Sequence, residues 1–155
     1  MIVESAETRS RLATALHVAR WVDEVAAGCP YPSVDSLVAV ADLAARRLSP
    51  AEVDEALSTH PRIGEQAGGL SRSEQAASAT DDPALVEAMA AGNRAYEERF
   101  GRIFLVRAAG RSRPEILDEL RRRLTLSDEA EVAEVADQLR QIALLRLRTL
   151  FEEAS

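Results

Sequence analysis

The sequence has few of the residues that mark secreted, membrane-spanning or nucleic-acid-binding proteins. Its 155 residues include a single cysteine, Cys29, so no disulfide can form within the chain, and a reducing compartment is indicated. No uncharged stretch approaches the roughly 20 residues that a membrane span requires, and no apolar run resembles a signal peptide. The net charge of −7 argues against a nucleic-acid or anionic membrane surface. We therefore expect a cytoplasmic protein that binds neither nucleic acid nor membrane.

Aromatic residues are also scarce, at 4%, whereas hydrophobic residues make up 46% of the chain. A core that is rich in Leu, Val and Ala favours packed helices over a β-sandwich. The length fits one domain with its own core, and no internal repeat, low-complexity tract or linker divides the sequence. We predict a single all-α domain over residues 1–155. It should be a bundle of about seven helices with one short extended segment near 103–107.

Caps and apolar periodicity predict where the helices begin and end. Apolar spacing indicates one helix over about 5–27 and a second over about 33–48. Three Ser-x-x-Glu patterns, each typical of a capping box, begin the helices that follow Ser49, Ser71 and Ser112.

Two further caps begin the long helices of the second half. Asp82 begins a helix that ends at Gly101, and Ser127 begins the last helix, which runs to about residue 152. The apolar run 103–106 is either a strand or an extended buried segment, and periodicity does not decide between them.

The stretch His60-Pro61-Arg62-Ile63-Gly64 is unlike the helices around it. Proline at position 61 disfavours helical geometry at His60, so the histidine is expected on the rim of a helix that ends there, where its side chain can face a cleft. A neutral imidazole in such a place is a suitable general acid or base near pH 7. The alternative is an ordinary histidine that packs at a helix end.

Arg146 occupies an unusual position for a charged residue. The apolar residues of the last helix form one stripe, and Arg146 falls near the centre of that stripe. An arginine in a core stripe is costly unless it is paired. Two interpretations stay open. Arg146 is either structural, in a buried ion pair or extended towards the helix end, or it points into a cleft and holds an oxygen atom with its planar guanidinium.

Other polar residues carry weaker signals. The capping box alone explains Ser71 and Glu74. Asn93 follows Gly92 in the middle of a helix, where neither residue favours the helix, and this suggests contact with another backbone segment. Metal binding is not indicated, because there is no His-x-x-x-His pattern and no second cysteine.

Four motifs together resemble one enzyme family. They are His60-Pro61-Arg62-Ile63-Gly64, Ser71-x-x-Glu74-Gln75, Asn93-x-x-Tyr96-x-x-x-Phe100-Gly101-x-x-Phe104-Leu105-Val106, and Leu145-Arg146-Leu147. In order and spacing they are similar to the 2-oxo-4-hydroxy-4-carboxy-5-ureidoimidazoline (OHCU) decarboxylases of uric acid degradation. Many members have His-Pro-Asp-Leu, and Phe-Gly-Phe-Pro-Phe or Phe-Gly-Tyr-Ile-Phe, where this chain has His-Pro-Arg-Ile and Phe-Gly-Arg-Ile-Phe. The departures concern details of the substrate pocket.

The resemblance implies an all-helical, cofactor-free and metal-free enzyme that converts OHCU, a small molecule, to (S)-allantoin. It implies that His60 and Glu74 are catalytic. The positions that it implies for substrate binding are Pro61, Ser71, Gln75, Phe104, Leu105, Val106 and Arg146. It also suggests a homodimer. The alternative from another class is an acidic helical binding or regulatory module without catalysis, in which His60 and Arg146 are structural.

Overall fold

Most residues lie in helices in the computed structural model, which describes residues 1–65 and 69–152. Within these residues there are eight α-helices, one 3-10 helix (Ala76–Ser78) and no strand, so the predicted all-α class is confirmed. The α-helices are α1 (Ala6–Ala15), α2 (Ala19–Ala27), α3 (Val34–Ala45), α4 (Pro50–Leu57), α5 (Gly69–Gln75), α6 (Pro83–Phe100), α7 (Arg113–Arg123) and α8 (Asp128–Glu152). The chain forms two compact units, unit 1 (Met1–Thr59 and Ala136–Ser155) and unit 2 (His60–Val135).

The first predicted helix is wrong as a single element, because α1 and α2 share its residues. Between them Leu16 and Val18 have extended backbone conformations, with φ of −151° and −133°. Both side chains are buried, whereas His17 between them is exposed. This alternation is the pattern of an extended segment, and it buries two apolar side chains that one helical face would not bury together. Glu55 of α4 then accepts a hydrogen bond from the first amide of α2, at 2.9 Å.

Unit 1 contains α1 to α4 and the C-terminal part of α8. Its largest fully buried side chain is Trp21 of α2, whose indole Nε1 donates to the carbonyl oxygen of Ala41 at 3.0 Å. The buried indole N–H therefore has the partner that such a group requires. Arg140 of α8 pairs with Asp42 of α3, at 3.0 Å.

Unit 2 is built on α6 and α7, which share one apolar core. The buried members of this core are Ile63, Met89, Tyr96, Phe104, Val106, Ala108, Ile116, Leu117 and Leu120. Gly92 permits the close approach of the two helices, since a Cβ atom at this position would lie 3.2 Å from a methyl carbon of Leu120. The neighbouring Asn93 donates through Nδ2 to the carbonyl oxygen of Ile63 at 3.0 Å. The predicted contact of Asn93 with another backbone segment is confirmed.

Most of the predicted caps are confirmed. Ser49 and Ser112 form capping boxes with the glutamates three residues later, and Asp82 accepts a hydrogen bond from the amide of Ala84. Ser127 caps the last helix through the amide of Ala130. These side chains satisfy amides that the first turn of a helix leaves without partners.

The capping box predicted at Ser71 is wrong. Helix α5 begins at Gly69, so Ser71 is its third residue and does not lie at an N-cap. Residues 66–68, which precede this helix, lie outside the described part of the chain. Because the helix begins earlier, the three-residue spacing from Ser71 to Glu74 places both side chains on one side of α5.

None of the helices that the structure describes combines the length and the apolar composition needed to cross a membrane.

Candidate active site

The histidine motif, residues 60–64, lies between α4 and α5 and is called the histidine loop. Helix α4 ends at Leu57, so His60 lies in the loop beyond the helix and not on its last turn. His60 and Pro61 are both half-buried. The following Arg62 is held by Glu97 of α6 through two hydrogen bonds of 2.8 and 2.6 Å. These bonds lower the pKa of the Glu97 carboxyl and fix the loop to α6.

The second motif lies on α5, where Ser71, Glu74 and Gln75 are half-buried. The side-chain oxygen Oε1 of Gln75 accepts a hydrogen bond from the amide of Gly64 at 3.2 Å. Gly64 has a φ of 93°, a left-handed conformation that favours glycine. The structure thus joins the histidine loop to the helix that carries the predicted catalytic acid.

The third motif ends in the segment 103–107, which forms neither helix nor strand. Phe104, Leu105 and Val106 are all buried, with exposed fractions of 1%, 4% and 2%. The carbonyl oxygen of Leu105 accepts a hydrogen bond from Nη1 of Arg123 at 3.0 Å. The backbone hydrogen bonds among the described residues give these three amide N–H groups no carbonyl acceptor. Three consecutive buried residues therefore present donors to any ligand that reaches them.

A buried cluster of Arg123, Glu131 and Tyr96 supports this segment. Arg123 and Glu131 are both 0% exposed, and the Nε atom of Arg123 lies 2.8 and 2.9 Å from the two carboxylate oxygens. The Tyr96 hydroxyl donates to the same carboxylate. Burial and the bond to Glu131 raise the pKa of Tyr96. Burial opposes the charge of Arg123, but its hydrogen bonds to Glu131 and the charges of Glu131, Tyr96 and Glu119 together raise its pKa.

Sequence analysis missed this cluster, although a signal for its arginine was present. On α7 the buried positions are Arg113, Ile116, Leu117, Leu120 and Arg123, which recur at helical spacing. Both arginines thus lie on the apolar face of α7, as Arg146 lies on that of α8. The partner of Arg123 was not readable from the sequence, because Glu131 belongs to a different helix.

Arg146 is buried, with an exposed fraction of 8%, as the apolar stripe predicted. Its Nη1 donates to the carbonyl oxygen of Thr14 on α1, at 3.0 Å. Arg146 and Thr14 belong to unit 1, whereas His60 and Glu74 belong to unit 2. A role for Arg146 in substrate binding stays a prediction.

Gly64 lines two clefts in the described part of unit 2. One, of about 530 Å³, lies between the histidine loop and α6 and is also lined by Asn93 and Glu97. The other, of about 710 Å³, lies beside α5 and is also lined by Gln75 and Arg113. In the described residues no group of three His, Cys, Asp or Glu side chains is placed to hold a metal ion.

Comparison with known proteins decides the family. The family model of OHCU decarboxylase matches residues 3–148. The chain belongs to the OHCU decarboxylase family. The resemblance that the four motifs carry is thereby confirmed, and the match includes residues of both units. Members of this family are carboxy-lyases of uric acid degradation, so the enzyme interpretation is supported and the binding module is not.

Individual relatives agree with this membership. The uric acid degradation bifunctional protein TTL of Arabidopsis thaliana is 29% identical over 133 residues, which are 80% of this chain and 41% of that protein. The chain therefore spans less than half of that relative. A crystal structure of OHCU decarboxylase in the presence of (S)-allantoin matches with a TM-score of 0.80 and 25% identity, over 90% of this chain and 96% of that one. A crystal structure of (S)-allantoin synthase shares the fold, with a TM-score of 0.65 and 21% identity over 92% of this chain and 49% of that one.

Proposed function

We propose that this chain decarboxylates OHCU to (S)-allantoin, with His60 and Glu74 as the catalytic pair. The observation that carries the proposal is the buried segment from Phe104 to Val106, whose amides have no carbonyl acceptor among the backbone hydrogen bonds of the described residues. Buried amides without partners are rare, and a substrate that brings carbonyl oxygens supplies the missing acceptors. OHCU carries such oxygens on its ring and its ureido group.

The substrate itself provides the electron sink for the reaction. Its carboxylate stands on a ring carbon next to a C=N bond. When the bond to the carboxylate breaks, carbon dioxide leaves, the electron pair enters the ring and the C=N nitrogen takes up a proton. The hydroxyl on the same carbon then loses its proton as the carbonyl forms, and the adjacent carbon receives a proton. A substrate without such a sink usually needs a cofactor to supply one.

Each predicted residue has a task in this scheme. His60 moves the protons, since an imidazole exchanges them readily near neutral pH. Glu74 orients that imidazole and adjusts its affinity for a proton. Gln75 uses its oxygen on Gly64, which leaves its NH₂ group as a donor to substrate. Pro61, Ser71 and Arg146 also bind the substrate in this proposal, and Arg146 and the 104–106 amides stabilise charge on its ring oxygens.

The test is a variant that removes the titrating proton with little change of shape. For His60→Asn we expect turnover to fall by about 10²–10⁴-fold, the usual contribution of a general acid or base. Circular dichroism of the optically active allantoin that forms from fresh OHCU measures the rate. His17→Asn is the matched control, because His17 is the other of the two histidines and is exposed. Equal rates for both variants and the wild type would remove His60 from the mechanism.

The remaining parts of the proposal concern the whole protein. We propose that residues 1–155 act as one catalytic domain, since the family match includes residues of both units. A cytoplasmic location is proposed from the single cysteine. A homodimer is proposed from the family resemblance alone, and light scattering on the purified protein measures it.

A further inference from the structure

Arg113, the first residue of α7, is buried without a counter-charge from the described residues. Its exposed fraction is 6%, and its Nε atom has no hydrogen-bond partner. No acidic side chain among the described residues forms an ion pair with it. Burial lowers the pKa of its guanidinium, and no neighbouring charge offsets this effect. A buried cation of this kind is costly, so its retention calls for an occupant that the protein itself does not supply.

The surroundings of Arg113 form a cleft with room for that occupant. This cleft, of about 710 Å³, is lined by Arg113 together with Gly64, Gln75 and Thr80. A Cβ atom on Gly64 would lie 3.4 Å from Nη1 of Arg113, so the guanidinium reaches the backbone of the histidine loop. Arginine, amide and hydroxyl groups thus converge on one space within unit 2.

The charges around the cleft favour a singly charged anion. Arg72 and Glu65 also line it, and both are exposed. Glu65 already pairs with Arg62, at 3.2 Å. Among the described residues that line the cleft, the buried charge is the guanidinium of Arg113, whose planar fork matches the two oxygens of a carboxylate. A tetrahedral dianion would bring a second charge for which the cleft has no buried partner.

We propose that this cleft is a carboxylate-binding site in which Arg113 supplies the cation and Gln75 and Thr80 supply further polar contacts. The carboxylate belongs either to the substrate or to a separate small acid. The proposal does not rest on the decarboxylase activity, because the binding of a simple carboxylate is measurable on the free protein.

The experiment follows the protein by NMR during titration with acetate, against chloride at the same ionic strength. All 19 basic residues of the chain are arginines, so the Nε–Hε signal of Arg113 is assigned by its absence from the Arg113→Lys spectrum. We expect acetate, but not chloride, to shift this signal and the side-chain amide signal of Gln75 along one saturable curve. The Gln75 signal remains readable in every variant of Arg113.

Variants separate the site from general charge. Arg113→Gln should weaken acetate binding by about tenfold or more, because the charged partner is lost, and Arg113→Lys should be intermediate without the planar fork. Arg121→Gln is the matched control, since Arg121 is exposed on the same helix, and it should bind like the wild type. An acetate titration without saturation in the wild type, or with the same affinity in Arg113→Gln, overturns the proposal.

Enzyme kinetics then identify the source of the carboxylate. Competitive inhibition of OHCU turnover by acetate assigns the site to the carboxylate of the substrate. Saturable acetate binding without competition assigns it to a separate small acid. Both results support a carboxylate site at Arg113.

Discussion

Arg113 and Arg123 are the first and last residues of α7, and they lie on the same apolar face of that helix. Arg123 is surrounded by partners, with a carboxylate on Glu131 and a carbonyl oxygen on Leu105. Arg113 has neither an ion pair nor a partner for its Nε atom among the described residues. The two residues are of the same type and similarly buried, and their surroundings differ.

The difference shows that burial and pairing have separate effects on what an arginine contributes to the stability of the fold. A buried arginine with a full set of acceptors holds the fold together, because removing it strands the partner charge. A buried arginine that lacks acceptors adds little to the fold, and a ligand can supply what is missing. Burial alone, which is all that the apolar stripe of a helix predicts, does not distinguish the two cases.

The largest effect on stability is expected at the paired arginine. Arg123→Met should lower the free energy of unfolding by about 3–5 kcal/mol, because Glu131 is left as a buried charge without compensation. Urea denaturation measures the loss. Arg121→Met, at an exposed site on the same helix, should stay within about 0.5 kcal/mol of the wild type. Replacing Glu131 by leucine in the Arg123→Met background should recover part of the loss. Equal stability of Arg123→Met and Arg121→Met would contradict a structural role for Arg123.

Arg146 extends the comparison to α8. We expect Arg146→Lys to reduce turnover by about 10²–10³-fold, the cost of losing one donor to a developing oxyanion, because a point charge does not replace the planar fork. Stability should change by no more than about 1 kcal/mol, since lysine keeps the charge and can still donate to the carbonyl of Thr14.

Rate and denaturation are measured on the same preparation of this variant. Arg148→Lys is the control, since Arg148 is an exposed residue of the same helix that pairs with Asp35 at 2.9 Å. A normal turnover rate in a weakened Arg146→Lys protein would place Arg146 with Arg123, among the structural arginines.

The effect on stability expected at Arg113 is small, and its sign is the informative part. Arg113→Met keeps a side chain of similar length and removes a buried charge. We expect the free energy of unfolding to rise by about 1 kcal/mol, as it often does when a strained functional residue is replaced. Denaturation in parallel with Arg123→Met provides the comparison. A loss of several kcal/mol would mean that Arg113 supports the fold in the same way as Arg123.

Local chemistry made much of the molecule predictable. The caps at Ser49 and Ser112 depend on residues three positions apart, so the sequence contains both partners of each bond. The burial of Arg146 follows from the spacing of a single helix. The four motifs indicated the family because each can be recognised from residues that lie close together in the sequence.

Features that depend on distant residues were not predictable in the same way. The break between α1 and α2 buries the side chains of Leu16 and Val18. Their burial depends on packing within unit 1, which the local sequence does not contain. The start of α5 at Gly69 removes Ser71 from its expected cap. The partners of Arg123 come from other elements of unit 2. In each case tertiary contacts override a pattern that was locally reasonable.

The donors of Phe104, Leu105 and Val106 have one more consequence, which concerns the exchange of their hydrogens with solvent. Amide hydrogens in helices are protected by their carbonyl partners, whereas these three are buried without a carbonyl partner among the described residues. A ligand that accepted them would slow their exchange for deuterium without any change of secondary structure. Deuterium uptake in this short segment therefore reports on whether a ligand has bound to these amides.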